Sequence, residues 1–429
     1  MGLILFSTPI SCGSLKNGGI KMNCRFDGQP LAHEFVDLGY SPVSNSFRSQ
    51  EDQETPEVYY PLKLWVSERT FLVQTGEYKK AAEIFSGDYV YFSSYSKSWL
   101  RHASQYVEKM VEKFGLNATS QVVEIASNDG YLLQYFKQKN IPCYGVEPSG
   151  SVAGAAREKG IETLELFFGV ETATKLAEGG RKADLLLGNN VLAHVPDLND
   201  FVKGLKILLK PQGVVTMEFP HLMQLVEQNQ FDTIYHEHFS YFSFYTVCQV
   251  FRSHGLEMFD VEEIPTHGGS LRIYAAHEQD KSKTVSPSVA ALLLKEREKG
   301  MQTLDYYGHF QPKVEKVKRD FLKFLLDQRS QGKTVAAYGA AAKGNTLLNY
   351  CGVRRDLISF VCDASPHKQG KFLPGSHIPV FDPVEIEKRK PDFVVILPWN
   401  IREEIMEQLS VIRQWGGKFV VAVPCLQTL

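Results

Sequence analysis

Two stretches of this 429-residue chain combine residue types and spacings that suit chemistry. The denser is Tyr235-His236-Glu237-His238, followed by Tyr241, Tyr245, His254 and His267-Gly268-Gly269-Ser270. Imidazole titrates near neutral pH, so a histidine beside a carboxylate suits proton transfer. Metal binding is the competing reading, but His-x-His supplies only a pair of ligands and no His-Glu-x-x-His spacing is present. General-base chemistry is therefore favoured, with Glu237 orienting or polarising an imidazole. Arg272, in the apolar run that follows, is a candidate anchor for an anion.

The second stretch, Gln121 to Pro148, reads as strand, loop, helix, strand. Val122, Val123 and Ile125 lead into Ala126-Ser127-Asn128-Asp129-Gly130, a helical pattern begins at Tyr131, and Cys143 to Val146 closes on Glu147. In an open α/β sheet, ligands sit beyond the carboxyl ends of strands, and an acid roughly 20 residues after the first loop is placed to hold ribose hydroxyls. Glu124 and Glu147 suit a ligand offering hydroxyls and an amine and suit a pyrophosphate poorly. That favours S-adenosylmethionine over NAD; the loop is not G-x-G-x-x-G, and a strand–helix turn without ligand is the plain alternative. Ala183 to Leu187 is a further strand ending at Gly188-Asn189-Asn190, and His194 lies just beyond it, where a histidine is structural as readily as catalytic.

These residues need a scaffold, and the pattern supplies a largely parallel α/β sheet over 76–284. A second Rossmann-like unit spans 331–429: Lys333 to Tyr338 is a strand, then Gly339-Ala340-Ala341-Ala342-Lys343-Gly344-Asn345-Thr346 opens a helix. That loop suits a diphosphate at a helix start, lacks Walker spacing, and fits a purely structural domain equally well. Residues 285–330 form a charged helical connector. Residues 22–75 form a small β-rich module with a hairpin across 67–70; modules of that size usually need a staple or a neighbour. Asp88 to Ser96 is a dense run of aromatics and hydroxyls, fit to line a polar pocket.

The length suggests roughly two or three domains. With 43% hydrophobic and 22% charged residues the composition is that of a soluble globular protein, and a net charge of -2 gives no case for nucleic acid. No apolar run reaches bilayer length. Seven scattered cysteines fit a reducing cytoplasm better than a disulfide framework. Residues 1–21 read as a loose extension, with Met22 an alternative start.

The chain resembles the S-adenosylmethionine-dependent C-methyltransferases that act on nucleotide-linked deoxysugars, typically dTDP-4-keto sugars methylated at carbon 3. The resemblance covers about residues 22–425 and is carried by DYVYFSSYSKSWLRHA (88–103), VVEIASNDGYLLQYF (122–136), GNNVLAHVPDLNDF (188–201), MEFPHL (217–222), QFDTIYHEHFSYFS (230–243), PTHGGSLRIY (265–274) and YGAAAKGNTLLNY (338–350). It implies a zinc-type N-terminal module, a class I methyltransferase domain and a C-terminal Rossmann-like domain that binds the nucleotide sugar. It implies His238 as base, with Glu237, Tyr235, His194 and Tyr89 at active-site positions. Cofactor contacts are then expected from Glu124, Ala126, Ser127, Asn128, Gly130, Tyr131, Glu147, Asn189 and Asn190. Substrate contacts are expected from His236, Tyr241, His267, Arg272, Lys343 and Asn345. One departure is plain. Of the family's two Cys-x-x-Cys pairs only Cys24 remains, with Asp27, Ser67 and Thr70 at the other positions, so zinc is not expected. The resemblance leaves open a monomer or a homodimer, a non-nucleotide acceptor, and a binding relative without turnover.

Overall fold

The computed structural model describes residues 22–80, 83 and 92–429. The readings for 1–21, for Tyr89 and for the 88–91 part of the 88–96 cluster lie outside the described residues.

Three sheets organise the chain. The first has the order His33–Ser41, Tyr60–Val66, Val73–Thr75, Ser240–Tyr241, all antiparallel. Alternation buries Leu62, Leu64 and Val66 on one face of the second strand. The hairpin expected across 67–70 is present; the strand His33–Ser41 was not anticipated. The last strand belongs to the histidine-rich segment of the middle region, so the small module is completed by the chain that carries His238. The module also lacks a core of its own. Phe35, Val36, Leu62 and Leu64 share one apolar cluster with Tyr307, Phe310, Val314 and Leu347, and Phe35 stacks on Phe310 with ring centroids 4.7 Å apart. A neighbour supplies the stabilisation that so small a unit lacks.

The second sheet has seven strands in the order Leu256–Ile264, Ser270–His277, Leu209–Pro220, Ala183–Asn189, Val122–Ile125, Cys143–Val146, Thr163–Leu164. The last five are parallel to one another, and the first two are antiparallel to their neighbours. Helices on both faces bury the continuous apolar runs of the central strands, giving the doubly wound Rossmann-like arrangement expected. The helix Lys97–Phe114 packs across it, started by Ser96, whose side chain accepts the Trp99 N–H, and stopped by Gly115 in the left-handed region.

The third sheet orders Val380–Phe381, Val361–Cys362, Val335–Tyr338, Phe393–Ile396, Lys418–Val421 and Gln427–Thr428, parallel except for the last strand. The connector consists of helices Pro287–Glu298, Leu304–Gly308 and Phe310–Ser330. The longest presents Phe310, Val314, Val317, Phe321 and Leu325 to the shared core and ion-paired charges to solvent. No helix among the described residues is long and apolar enough to cross a membrane.

Candidate active site

The loop after Val122–Ile125 folds back sharply, with Ala126 at φ +55°, Asn128 at +51° and Gly130 at +74°. Strain of this kind, at non-glycine positions, gathers where backbone must face a ligand. Glu147 braces the turn: one carboxylate oxygen accepts the Asn128 N–H at 3.0 Å and the other the Ser149 N–H at 2.9 Å. Burial pushes its carboxyl up to about 7. Glu124 is fully buried. Burial lifts it well above the ordinary carboxylate range against the pull of a hydrogen bond from the Tyr131 hydroxyl. Asn189 Nδ2 donates to the Tyr131 hydroxyl at 3.4 Å, and Trp99 stacks on Tyr131 at 5.9 Å. Ser127 turns its side chain onto the neighbouring strand, where a Cβ on Gly145 would lie 2.0 Å from its Oγ; it offers the loop backbone only. Asn128 Oδ1 is taken by the Ser93 N–H at 2.8 Å.

Beyond the next strands lies the histidine cluster. His238 Nδ1 faces the Thr233 carbonyl at 2.9 Å. A carbonyl only accepts, so the proton is on Nδ1 and the Nε2 lone pair is available as a base. The His238 ring lies 4.0 Å from Tyr235, 4.7 Å from His194 and 5.9 Å from Tyr241. The Phe239 N–H to Ala193 carbonyl bond, 2.7 Å, holds the two loops together. Burial pushes His238 well below the usual imidazole range, helped by His194. Burial takes His194 down to about 4 against a hydrogen bond to the Glu237 backbone. Both imidazoles are neutral at pH 7.

Its immediate neighbours behave differently. The Glu237 carboxylate does not orient the His238 imidazole, contrary to expectation. Its Oε1 accepts both the backbone N–H and the side-chain amide of Asn45 at 3.1 Å each, tying the small module to the site. His236 likewise faces the module, with Nε2 3.2 Å from the Pro61 carbonyl and its ring edge-on to Tyr60 and Tyr78. It is not gathered with His194 and His238.

A second group of the expected site residues mixes the two larger sheets. Asn190 Nδ2 lies 3.1 Å from His267 Nε2, and burial together with Lys343 depresses His267 to about 4. Lys343, from the third sheet's first helix, sits 4.8 Å over the Trp399 ring and donates to Asn400 Oδ1 at 2.6 Å; its charge reaches His238 as well. Arg272 is no free anion anchor. Its guanidinium is paired with Glu218 at 3.0 Å and Glu262 at 3.5 Å and lies over Tyr106, so its charge is already neutralised. Asn345 is buried, donating to the Ser44 carbonyl at 2.6 Å; it is a tie between modules.

Several contributors escaped the sequence reading. Trp99 covers His102 at 4.9 Å and His267 at 5.1 Å. Thr233 acts through its carbonyl, which no side-chain pattern reveals. Glu218, buried in the strand Leu209–Pro220, binds His102, Arg272 and Thr266. Its sole signal was a carboxylate inside an apolar run.

Residues 99–261 match a family described as a methyltransferase domain, 265–424 the C-methyltransferase C-terminal domain, and 24–85 a putative zinc binding domain. The C-methyltransferase NovU of Streptomyces niveus is 36% identical over 401 residues, covering 94% of this chain and 95% of the relative. A ubiquinone biosynthesis O-methyltransferase of Chelativorans sp. (strain BNC1) is 27% identical over 96 residues, 22% of this chain and 38% of the relative. A magnesium protoporphyrin IX methyltransferase from Synechocystis PCC 6803 with bound S-adenosylhomocysteine aligns over 42% of this chain and 83% of its own at 16% identity, with a TM-score of 0.34.

The donors in the small module do not fit zinc. Ser67 Oγ accepts the N–H groups of Arg69 and Thr70 at 3.3 and 3.1 Å, and Cys24 Sγ lies 3.6 Å from Thr70 Oγ1. Hydroxyls are poor zinc ligands, and burial pushes the Cys24 thiol up, away from the thiolate that zinc requires. The two turns are closed by hydrogen bonds instead. Metal analysis of the purified protein should return sub-stoichiometric zinc, and a chelator should leave Tm unchanged; stoichiometric zinc whose removal unfolds the protein would contradict this. The cofactor loop, by contrast, fits S-adenosylmethionine: a fully buried acid, Glu124, suited to an ammonium group, and a second acid, Glu147, at the ribose position.

Proposed function

The chain belongs to the S-adenosylmethionine-dependent C-methyltransferase family, and from that premise we propose that it methylates carbon 3 of a dTDP-linked 4-keto-deoxysugar. The observation that carries this reading is the His238 imidazole, buried, neutral, fixed through Nδ1 by the Thr233 carbonyl and set against the rings of Tyr235 and His194. A ketone at carbon 4 acidifies the carbon 3 proton. His238 Nε2 takes that proton and becomes an imidazolium, and the electron pair passes to the carbonyl oxygen as an enolate. Tyr235, beside His238, and His194 are the nearest groups able to stabilise developing charge. The enolate carbon then forms the new C–C bond. When bound, S-adenosylmethionine supplies an electrophilic methyl group and departs as S-adenosylhomocysteine. Glu124 and Glu147 would hold its amine and ribose, and Trp99 and Tyr131 would cover the site.

The nucleotide part of the reading draws support from a repeated device. In the third sheet Asp363 follows the second strand and accepts the Ala340 N–H at 2.7 Å and the Ser365 N–H at 2.8 Å. Glu147 holds Asn128 and Ser149 in the same pattern. An acid roughly 20 residues after a strand–helix loop stands where nucleotide folds place their ribose-binding carboxylate, and Lys343 adds a cation for a diphosphate.

The test is incubation of the protein with S-adenosylmethionine and a dTDP-4-keto-deoxysugar. A methylated product equal in amount to S-adenosylhomocysteine, with carbon 3 exchanging deuterium from D2O when S-adenosylhomocysteine replaces the donor, is expected. Equal turnover of the free ketosugar would point to a non-nucleotide acceptor. Absence of both methyl transfer and ligand binding by folded protein would remove the enzymatic reading.

A further inference from the structure

The short turn Phe231–Thr233 holds two things at once. Its Thr233 carbonyl fixes the base, as described. Its Asp232 carboxylate, fully buried, accepts the Trp399 indole N–H at 2.7 Å. The same indole carries the Lys343 ammonium over its face at 4.8 Å, and the adjacent Asn400 accepts from that ammonium at 2.6 Å. Space around the indole is tight: Gly268, at φ +91°, approaches so closely that a Cβ there would lie 2.5 Å from the ring. The second oxygen of Asp232 has no hydrogen-bond partner among the described residues.

We propose that Asp232 and Trp399 are positioning residues, which hold the Lys343 ammonium beside the His267–Gly268 turn to receive the substrate's diphosphate. A cation on an aromatic face keeps its charge available to an incoming anion, whereas a cation in direct contact with a carboxylate, like Arg272, does not. Asp232 grips the indole rather than the ammonium. Burial raises its carboxyl to about 6, against the pull of Lys343, so at pH 7 it is a carboxylate bonded to the indole and not in direct contact with the ammonium. The ionisable groups whose charges bear on this arrangement are Asp232, His238 and His267. Both imidazoles are neutral at pH 7, which leaves the ammonium to attract the anion. One turn thus registers the base and the cation against each other, although they sit on different sheets.

This proposal rests on the nucleotide-sugar reading, and its test separates the two. In the full-length protein, dTDP and S-adenosylhomocysteine affinities are measured by calorimetry for the wild type, Trp399→Phe and Trp399→Leu. The titration of Lys343, read by NMR of 13C-methylated lysines and assigned with Lys343→Arg, is followed in the same proteins and in Asp232→Asn. Trp399→Leu should weaken dTDP by about 2- to 30-fold, the span of a cation–π contact. Trp399→Phe should fall between, and S-adenosylhomocysteine should bind all three alike. Without any ligand, Asp232→Asn should lower the Lys343 pKa further, because the carboxylate charge supports the protonated amine. A wild type that binds dTDP, with both Trp399 variants binding it equally well, overturns the proposal, as does unchanged dTDP affinity with reduced kcat. A wild type that binds no dTDP removes the nucleotide-sugar reading and the proposed ligand with it, whatever Lys343 does.

Discussion

His238→Asn lowers kcat by about 10²–10⁴-fold, the usual worth of one general base, while S-adenosylhomocysteine binds as to the wild type. Asparagine retains an N–H for the Thr233 carbonyl and loses the Nε2 lone pair, so the change removes the base and keeps its anchor. The cofactor loop lies on other elements. Unchanged turnover, measured with saturating donor, would remove His238 as base. The pH dependence follows from the same burial. A histidine is a base only when neutral, and His238 is held well below its ordinary range. The acid limb of kcat at saturating donor should therefore lie below pH 6.5, where a solvent-exposed imidazole would place it. For stability the sign is the usual one for a depressed histidine. The contribution is present above the unfolded value near 6.5 and is lost as pH falls through the folded value, which for His194 is about 4. Glu147, raised to about 7, acts oppositely: its contribution is complete below its unfolded value and is lost as pH rises through 7.

Glu296→Ala destabilises the protein by about 3–5 kcal/mol, seen as a lowered urea midpoint. The connector helix Pro287–Glu298 inserts this carboxylate into the middle of the molecule, with no solvent exposure. It meets His221 Nε2 at 2.6 Å and accepts the N–H groups of Phe244 and Tyr245 at 2.6 and 2.8 Å. Those amides begin the helix Phe244–Ser253, where a negative charge is most favourable. Alanine leaves two buried donors and an imidazole without their acceptor, and burial makes each omission costly. Glu296→Gln, which keeps one accepting oxygen, should lose less. A loss below about 1 kcal/mol for the alanine variant would mean that water replaces the carboxylate.

Much of the scaffold was legible because the signals were local. Val122–Ile125 and Ala183–Asn189 are short apolar runs ending in small polar loops, and the chemistry-bearing residues stand just past them. The strand His33–Ser41 was missed because its ladder shifts register between Glu34 and Val36 and again between Asp37 and Tyr40, which spoils the alternation that marks a strand. Contacts far apart in sequence left no local trace. Glu237 reads as the partner of the histidines beside it until Asn45 is seen to take its carboxylate. Arg272 reads as an anion anchor until Glu218 and Glu262 are seen against it. Asp232 and Trp399, separated by 167 positions, have no pattern in common; only the fold brings an ordinary aspartate and an ordinary tryptophan to one lysine.

The sharing of a core between the small module and the connector also bears on the order of synthesis. The Asp37 N–H is satisfied by the side chain of Gln311, 274 positions later, and Phe35 stacks on Phe310. Ribosomes add about 5–20 residues per second, so the first strands wait roughly 14–55 s for their packing partners to emerge. During that interval Val36, Leu62 and Leu64 face water beside an unpaired Val73–Thr75 edge, which Ser240–Tyr241 later occupies. The nascent chain thus carries an aggregation-prone surface for most of its translation, and the Phe310–Ser330 helix, not the end of the module itself, sets the moment at which that exposure ends.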